Sequence, residues 1–291
     1  MKPPAPAATW NAAEYAANSA VQQSWARELI ARLHLHGDEH ILDVGCGDGK
    51  VTAELTRAVP HGFVLGTDAS AEMIAFAKKT FPNSNISNLK FEVADAREIG
   101  GCVASSPPAD RRAHAARGDG GVAVTRTFDL VFSNAALHWV DDHQAILRGA
   151  ASVLKPGGRL VVSCGGKGNA HDVFLALRPE MRLKRWCEFF RGMPMPYFFY
   201  APGDYEKWLP KFGFKINTVK LAPKDATYTG ADGLATWLRT TWLPFTQRVP
   251  ENLREEFIAA VTQRYVAKHP PDAAGEVGVR MVRLEIDAVK I

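Results

Sequence analysis

The stretch His40-Ile-Leu-Asp-Val-Gly-Cys-Gly-Asp-Gly-Lys50 constrains the fold more than any other part of the chain. An apolar run of strand character feeds directly into glycines at alternate positions, Gly45, Gly47 and Gly49, and then into a helical pattern. A strand that turns into a helix through glycines lets a ligand approach bare backbone, because no Cβ stands in the way. Two cofactor classes use that geometry, and spacing separates them. A dinucleotide fingerprint needs a further glycine where the helix packs on the strand. That position is Lys50. The motif from Asp43 is D-x-G-x-G-x-G, and its meaning depends on the next two strands.

Both of those strands end in a carboxylate. Phe63-Val-Leu-Gly-Thr-Asp68 is a short apolar run closed by Asp68. An acid at the end of a second strand accepts the hydroxyls of a ribose. Leu89-Lys-Phe-Glu-Val-Ala-Asp95 alternates apolar with polar and leads into Ala96. A competing role exists for both acids: each precedes a helical segment, and Asp is a good N-cap. Phe128-Asp-Leu-Val-Phe-Ser-Asn134 reads as a buried fourth strand. Ala151 to Gly158 is a helix end with a Pro-Gly-Gly stop, and Arg159-Leu-Val-Val-Ser163 is a fifth strand. Residues 214–221 and 279–288 supply a sixth and seventh. Strands alternating with helical runs predict a parallel sheet covered on both faces.

The glycine turn with Asp68 and Asp95 in register resembles the class I S-adenosylmethionine (SAM) methyltransferases. The resemblance covers nearly the whole chain. It implies an α/β, Rossmann-like fold: a seven-stranded, mostly parallel sheet with helices on both faces, an antiparallel last strand and a helical cap. Carried over residue by residue, it implies cofactor contacts at Asp43, Gly45, Cys46, Gly47, Asp68, Ala69, Met73, Asp95, Ala96 and Asn134. Asp68 takes the ribose, and Asp95 with Ala96 flanks the adenine. Three short motifs are most similar to the trans-aconitate and juvenile hormone acid methyltransferase branch. They are Asn18 to Ala26, Leu137-His-Trp-Val140 and the Arg280–Lys290 ending.

That branch implies a glutamine and a tryptophan that hold a substrate carboxylate, here Gln22 and Trp139, with Gln23 as the competing neighbour. Trans-aconitate methyltransferases put an arginine near the glutamine position. This chain has none there, which favours an acceptor with a single carboxylate. His138 is the one titratable group well placed to be a general base, and equally reads as a histidine packed at a pocket rim. SAM is a sulfonium that carries its own driving force, so alignment is the protein's task. The expected activity is O-methylation of a small carboxylic acid with an apolar body. The alternatives are a hydroxyl or amine acceptor with His138 as base, and a non-catalytic SAM-binding scaffold.

A cap over the site is expected from residues 164–213, rich in aromatics such as Trp186, Tyr197, Phe199, Tyr205 and Trp208. A second cap segment is expected from 232–268, with Trp237, Trp242 and Phe245 facing inward. Such aromatics more often form an ordinary core; their place beyond the strand carboxyl ends raises the pocket reading. Residues 15–291 read as one methyltransferase domain behind a flexible, proline-broken tail at 1–14. Residues 100–126 have few large apolar groups and many breakers, so they read as a flexible surface insertion, of which 102–124 are expected to be mobile and dispensable. The net charge is only +4, and the insertion's arginines lack interleaved aromatics, which argues against nucleic acid. The four cysteines lack C-x-x-C spacing, so free thiols are expected and no metal site. With no span of membrane length and no signal-peptide apolar block, a cytoplasmic enzyme is expected.

Overall fold

The computed structural model describes residues 20–82, 84–102 and 127–291, together with Ala12 and Ala16. The tail apart from Ala12, and residues 103–126 of the insertion inferred from composition, lie outside these residues.

β1 (His40–Val44) is buried at every position after the first, and β2 (Phe63–Asp68) at its four central positions. Such near-continuous burial is what a strand covered on both faces requires. β3 (Leu89–Val93), β4 (Phe128–Asn134), β5 (Leu154–Gly165), β6 (Phe214–Thr229) and β7 (Glu276–Lys290) complete a seven-stranded sheet in the order β3-β2-β1-β4-β5-β7-β6. β1 pairs in parallel with β2 and β4, β2 with β3, and β4 with β5. β7 runs antiparallel between β5 and β6. The fold expected from the sequence is therefore the fold observed. Strand order reverses between β1 and β4, which opens a crevice at their carboxyl ends, where open α/β sheets bind ligands.

The helices are α1 (Ala20–Ala31), α2 (Lys50–Ala58), α3 (Ala71–Thr80), α4 (Ile99–Cys102), α5 (His143–Val153), α6 (His171–Arg182), α7 (Cys187–Phe190), α8 (Pro202–Trp208), α9 (Gly230–Thr241), α10 (Leu243–Thr246) and α11 (Glu251–Val266). On one sheet face, Leu55 of α2 and Ile74 and Ala77 of α3 pack with Ile41, Val64 and Phe91. On the other, Ile146, Leu147 and Ala150 of α5 and Tyr205 of α8 pack with Leu42, Val131 and Leu160. α3 is capped by Ser70, whose side chain accepts from the Met73 amide, and α5 by Asp142, which accepts from Ala145. None of these helices is long and apolar enough to cross a membrane.

The last two strands differ most from expectation. β6 has 16 residues and β7 has 15, paired in register out to Thr229 opposite Glu276. The polar Pro223-Lys-Asp225 run disguises this extension. It is held in a strand by cross-strand pairing, including an ion pair between Asp225 and Arg280. The overhanging ribbon carries a second core: Ala226, Val277, Val279 and Met281 pack against Phe174 and Leu177 of α6, Leu234 and Trp237 of α9, and Phe257 and Val261 of α11.

Candidate active site

The glycine turn leaves β1 with Gly45, Gly47 and Gly49 all at positive φ, values of 76°, 54° and 81°. Only glycine adopts that region routinely. A Cβ on Gly45 would meet the Ala136 Cβ at 2.1 Å, so the loop after β4 closes on the turn where the side chain is missing. Contrary to the simplest reading of such a turn, its amides are already bonded. Gly45 and Cys46 donate to the Thr67 carbonyl at 2.7 and 2.9 Å, and Gly47 donates to Asp68 Oδ2 at 3.0 Å. Asp68 also accepts from Ser70 N at 2.8 Å. The cap of α3 is thus Ser70, which leaves Asp68 beside the turn.

A cavity of about 470 Å³, counted out to its open mouth, lies over this turn, lined by Gln22, Gln23, Asp43, Gly45, Cys46, Gly47, Asp48, Lys50, Val51, Asn134 and Ala135. Asp43 is buried and accepts from Thr52 Oγ1 at 2.8 Å. Burial lifts its carboxyl to about 7, against the pull of the Thr52 bond and with a contribution from Asp68. Burial, with Asp43 and Asp68 nearby, pushes the Cys46 thiol well up, so it is a small packed residue rather than a nucleophile. Cys46, Cys164 and Cys187 are all free thiols.

Of the expected cofactor residues, Asp43, Gly45, Cys46, Gly47 and Asn134 come together around this cavity, and Asp68 is joined to it through Gly47. Ala69, Met73, Asp95 and Ala96 do not line it. Met73 is buried in α3, and Ala96 packs against the core. Asp95 does the work of a cap: it accepts from the Arg97 amide at 2.9 Å and pairs with the Arg97 guanidinium at 2.6 Å. That hydrogen-bonded pairing holds its carboxyl below the usual range.

A second cavity, about 620 Å³ to its mouth, adjoins the first, with Gln22 and Ala135 in both walls. Ala135 has φ of 58°, a strained conformation for a residue with a side chain, fixed by its amide bond to the Ser163 carbonyl at 2.7 Å. The other walls are Trp25, His138, Trp139, Asn169, Ala170, Tyr197, Phe199, Trp237, Thr241, Trp242, Met281 and Arg283. Gln22 rather than Gln23 reaches this second space; Gln23 is held by Glu54 at 2.5 Å. Among the described residues, the buried Gln22 Oε1 has no hydrogen-bond partner.

Only part of the expected aromatic roof lies over the cavity. Tyr197, Phe199, Trp237 and Trp242 line it, whereas Trp186 packs on Phe257, and Tyr205 and Trp208 pack on each other beneath. Phe245 is buried against Trp242. For Tyr205 and Trp208 the difference follows from α8 docking on the main sheet, and Trp186 belongs to the ribbon's core.

His138 packs among Trp139, Tyr197 and Phe199, with ring centroids 5.5, 6.1 and 6.0 Å away. Its Nδ1 accepts from Gly165 N at 3.3 Å, so the neutral ring carries its proton on Nε2. Burial, reinforced by Arg283 and His143, pulls its pKa down to about 3. Two residues here escaped the sequence reading. His143 bonds the Leu137 carbonyl at 2.7 Å and the Tyr205 hydroxyl at 2.5 Å, fastening the turn that bears His138 and Trp139. Arg283 is 4% exposed and lines the second cavity from β7. The available signal was alternation: Arg283 is in phase with Val277, Val279 and Met281, the inward positions of that strand.

A sequence family described as "Methyltransferase domain" matches residues 35–190, more than half of the chain. The chain belongs to this methyltransferase family. It is 29% identical to a trans-aconitate 2-methyltransferase from Agrobacterium fabrum, over 97% of this chain and 99% of that protein. An uncharacterized methyltransferase from Schizosaccharomyces pombe is 28% identical over 72% of each chain. Among solved structures, a putative methyltransferase from Bacillus halodurans superposes with a TM-score of 0.56 at 18% identity, covering 92% of this chain and 99% of that one. The phosphoethanolamine N-methyltransferase 2 of Haemonchus contortus, solved in complex with S-adenosyl-L-methionine, gives 0.55 at 16% identity, covering 96% of this chain and 56% of that one.

The protein is thus a SAM-dependent methyltransferase. Its first cavity fits that cofactor chemically. The glycine turn, the buried acid Asp43, Asp68 behind Gly47 and the unpartnered Gln22 Oε1 offer acceptors to a cationic, hydroxyl-bearing ligand.

Proposed function

We propose that this methyltransferase esterifies a small carboxylic acid with an apolar body, and that Gln22 and Trp139 orient its carboxylate. The observation that carries the reading is the junction of the two cavities at Gln22 and Ala135. One is polar and built on the glycine turn; the other is walled by aromatic rings. S-adenosyl-L-methionine, when bound, supplies an activated methyl group. Asp43, Gly45, Gly47, Asp68 and Asn134 would hold it, and the aromatic wall would exclude water and take the acceptor's body.

The acceptor's charge state follows from His138. A ring held near 3, with Nδ1 already accepting from Gly165, is poorly suited to take a proton from a hydroxyl or amine. A carboxylic acid, with an ordinary pKa of about 4, arrives ionised and needs no base. The similarity to trans-aconitate 2-methyltransferases supports a carboxylate acceptor, and the aromatic walls favour one acid group on an apolar frame over a tricarboxylate. The test is a screen with tritiated SAM against pooled mono- and tricarboxylic acids. Base-labile radioactive esters of apolar monoacids are expected; label appearing only on amines or hydroxyls would overturn the reading.

A further inference from the structure

We propose that Asn169 is a specificity-determining residue of the second cavity, whose side-chain amide donates to a carbonyl-type oxygen on the acceptor's body, away from the group that is methylated. The proposal rests on the acceptor reading above and deepens it. Asn169 lines the second cavity but not the first, so it meets the part of an acceptor that extends beyond the junction at Gln22 and Ala135. It is half-buried in a wall that also holds Tyr197, Phe199, Trp237 and Trp242. An amide among aromatic rings costs free energy unless its polar atoms are bonded.

The backbone decides which end of that amide is committed. The Val282 N–H donates to Asn169 Oδ1 at 3.0 Å, and since a backbone N–H can only donate, the oxygen and nitrogen of the side chain are told apart. The turn bearing Asn169 is itself fastened to β7: Gly166 N donates to the Val282 carbonyl at 2.9 Å, and Asn169 N to the Gly166 carbonyl at 2.9 Å. Nδ2 is left beside Gly165 and Phe199. A Cβ on Gly165 would lie 3.0 Å from Nδ2 and 2.7 Å from Phe199 Cε1, so the missing side chain makes room for both groups. Among the described residues, Nδ2 has no hydrogen-bond partner. Two hydroxyls of the same wall are spent inside the protein instead. Tyr197 donates to the Thr241 carbonyl at 3.2 Å, and Thr241 Oγ1 donates to the Trp237 carbonyl at 2.6 Å. Asn169 thus offers a neutral donor in a fixed orientation. A ketone, ester or amide carbonyl on the acceptor satisfies it, whereas a methylene in that place leaves the N–H unpaired.

The experiment is calorimetry on the full chain saturated with S-adenosylhomocysteine. The probes are 6-phenylhexanoate and the ketones formed at the successive chain carbons nearest its ring, with the carboxamides of these acids in parallel. At least one ketone is expected to bind about fivefold more tightly than its methylene parent, the size of a neutral hydrogen bond. Asn169→Leu should erase that advantage and leave the parent acid little changed. Asn169→Asp keeps an acceptor for the Val282 amide but puts an oxygen where the donor was, so the ketone should then bind less tightly than its parent. A merely structural asparagine would not reverse that order. The proposal is overturned by no ketone advantage in the unsubstituted protein, by an advantage that survives both substitutions, by equal weakening of ketone and parent in Asn169→Leu, or by binding of neither series. If Asn169→Leu does not fold, the ketone–parent ratio in Asn169→Asp decides. The two readings fail separately. A ketone preference without esterification by labelled SAM overturns the carboxylate reading and leaves Asn169 standing. Esterification of apolar acids with no ketone preference in binding overturns the Asn169 proposal alone.

Discussion

Around β1 and β2 the cavity wall is backbone and carboxylate; around β6 and β7 it is aromatic side chain with one buried cation. At the first wall, Gly45 and Cys46 are tied to Thr67, Gly47 to Asp68, and Asp43 to Thr52, all within β1, the turn, the end of β2 and the first turn of α2. At the second, Trp242 touches Phe174 of α6, Tyr197 of the loop before α8, Trp237 of α9 and Phe245 of α10. The first wall depends on backbone conformations that few residues tolerate. The second depends on volume, which many aromatic combinations fill. On the function proposed above, the cofactor lies at the glycine turn and the choice of acceptor lies with the ribbon and its helices. Substitutions at the first wall should therefore act on folding and SAM, and those at the second on the acceptor.

The largest effect is expected from Gly45→Ala. The new Cβ would lie 2.1 Å from the Ala136 Cβ at a φ of 76°. Overpacking and left-handed strain together should cost roughly 2–5 kcal/mol of stability by chemical denaturation. The double variant Gly45→Ala/Ala136→Gly should recover the packing share and keep the strain. A double variant no more stable than the single one would show that closure of the β4 loop is not what holds the turn.

Next is Asp68→Asn, which keeps the shape but removes the charge beside Gly47. A charged hydrogen bond contributes about 1.5–3 kcal/mol, so the SAM dissociation constant should rise about tenfold or more. The acceptor KM at saturating SAM should stay put. An unchanged SAM constant in calorimetry would detach Asp68 from the cofactor and erase much of the contrast between the walls.

The contrast also explains what the sequence made legible. The D-x-G-x-G-x-G turn and Asp68 are local signals, since a turn, a strand end and a cap are written within a few residues. The existence of the strands was legible too, because most of them are short apolar runs with their own punctuation. The second wall is non-local. Tyr197, Trp237 and Trp242 face the same space only because the ribbon overhangs the sheet, and Pro223-Lys-Asp225 gives no hint of a strand. Arg283 is set apart by its inward phase on β7, whereas Arg280, three residues earlier, is exposed and pairs with Asp225. His143 could not be singled out either, because its partners Leu137 and Tyr205 meet only in three dimensions.

A smaller and one-sided effect is expected at Tyr197→Phe. The hydroxyl donates to the Thr241 carbonyl at 3.2 Å, and the ring stands 4.7 Å from Trp139 and 5.4 Å from Phe199. Phenylalanine keeps the ring contacts and loses a bond worth about 1 kcal/mol, so acceptor KM should rise by no more than about fivefold. SAM affinity should not change. A matching loss in SAM affinity would mean that the two cavities respond as one unit.

The smallest effect on turnover is expected from pH and from His138→Asn, although His138 lines the second cavity. Its folded pKa of about 3 lies below the ordinary histidine value of 6.5, so the ring stays neutral across the working range. An acceptor carboxylate is ionised there as well, with an ordinary pKa of about 4. Neither group should make turnover at saturating SAM vary from about pH 6.5 to 8.5; a change there that saturating SAM abolishes would report Asp43, whose carboxyl burial lifts to about 7. Asparagine offers an acceptor near the place of Nδ1 for the Gly165 amide, so the variant should lose less than Trp139→Ala. Stability behaves differently, and its sign is set by the lowered pKa. Below 6.5 the unfolded chain takes up protons at His138 and His143 that the folded chain, held near 3 and 4 at these sites, refuses. Stability is therefore complete above the ordinary histidine value and falls as pH drops toward those folded values. Denaturation midpoints should decline on the acid side while the rate per folded molecule holds. If the rate instead climbs with an apparent pKa of about 6.5 and collapses in His138→Asn, the acceptor is a hydroxyl or amine and the histidine is its base.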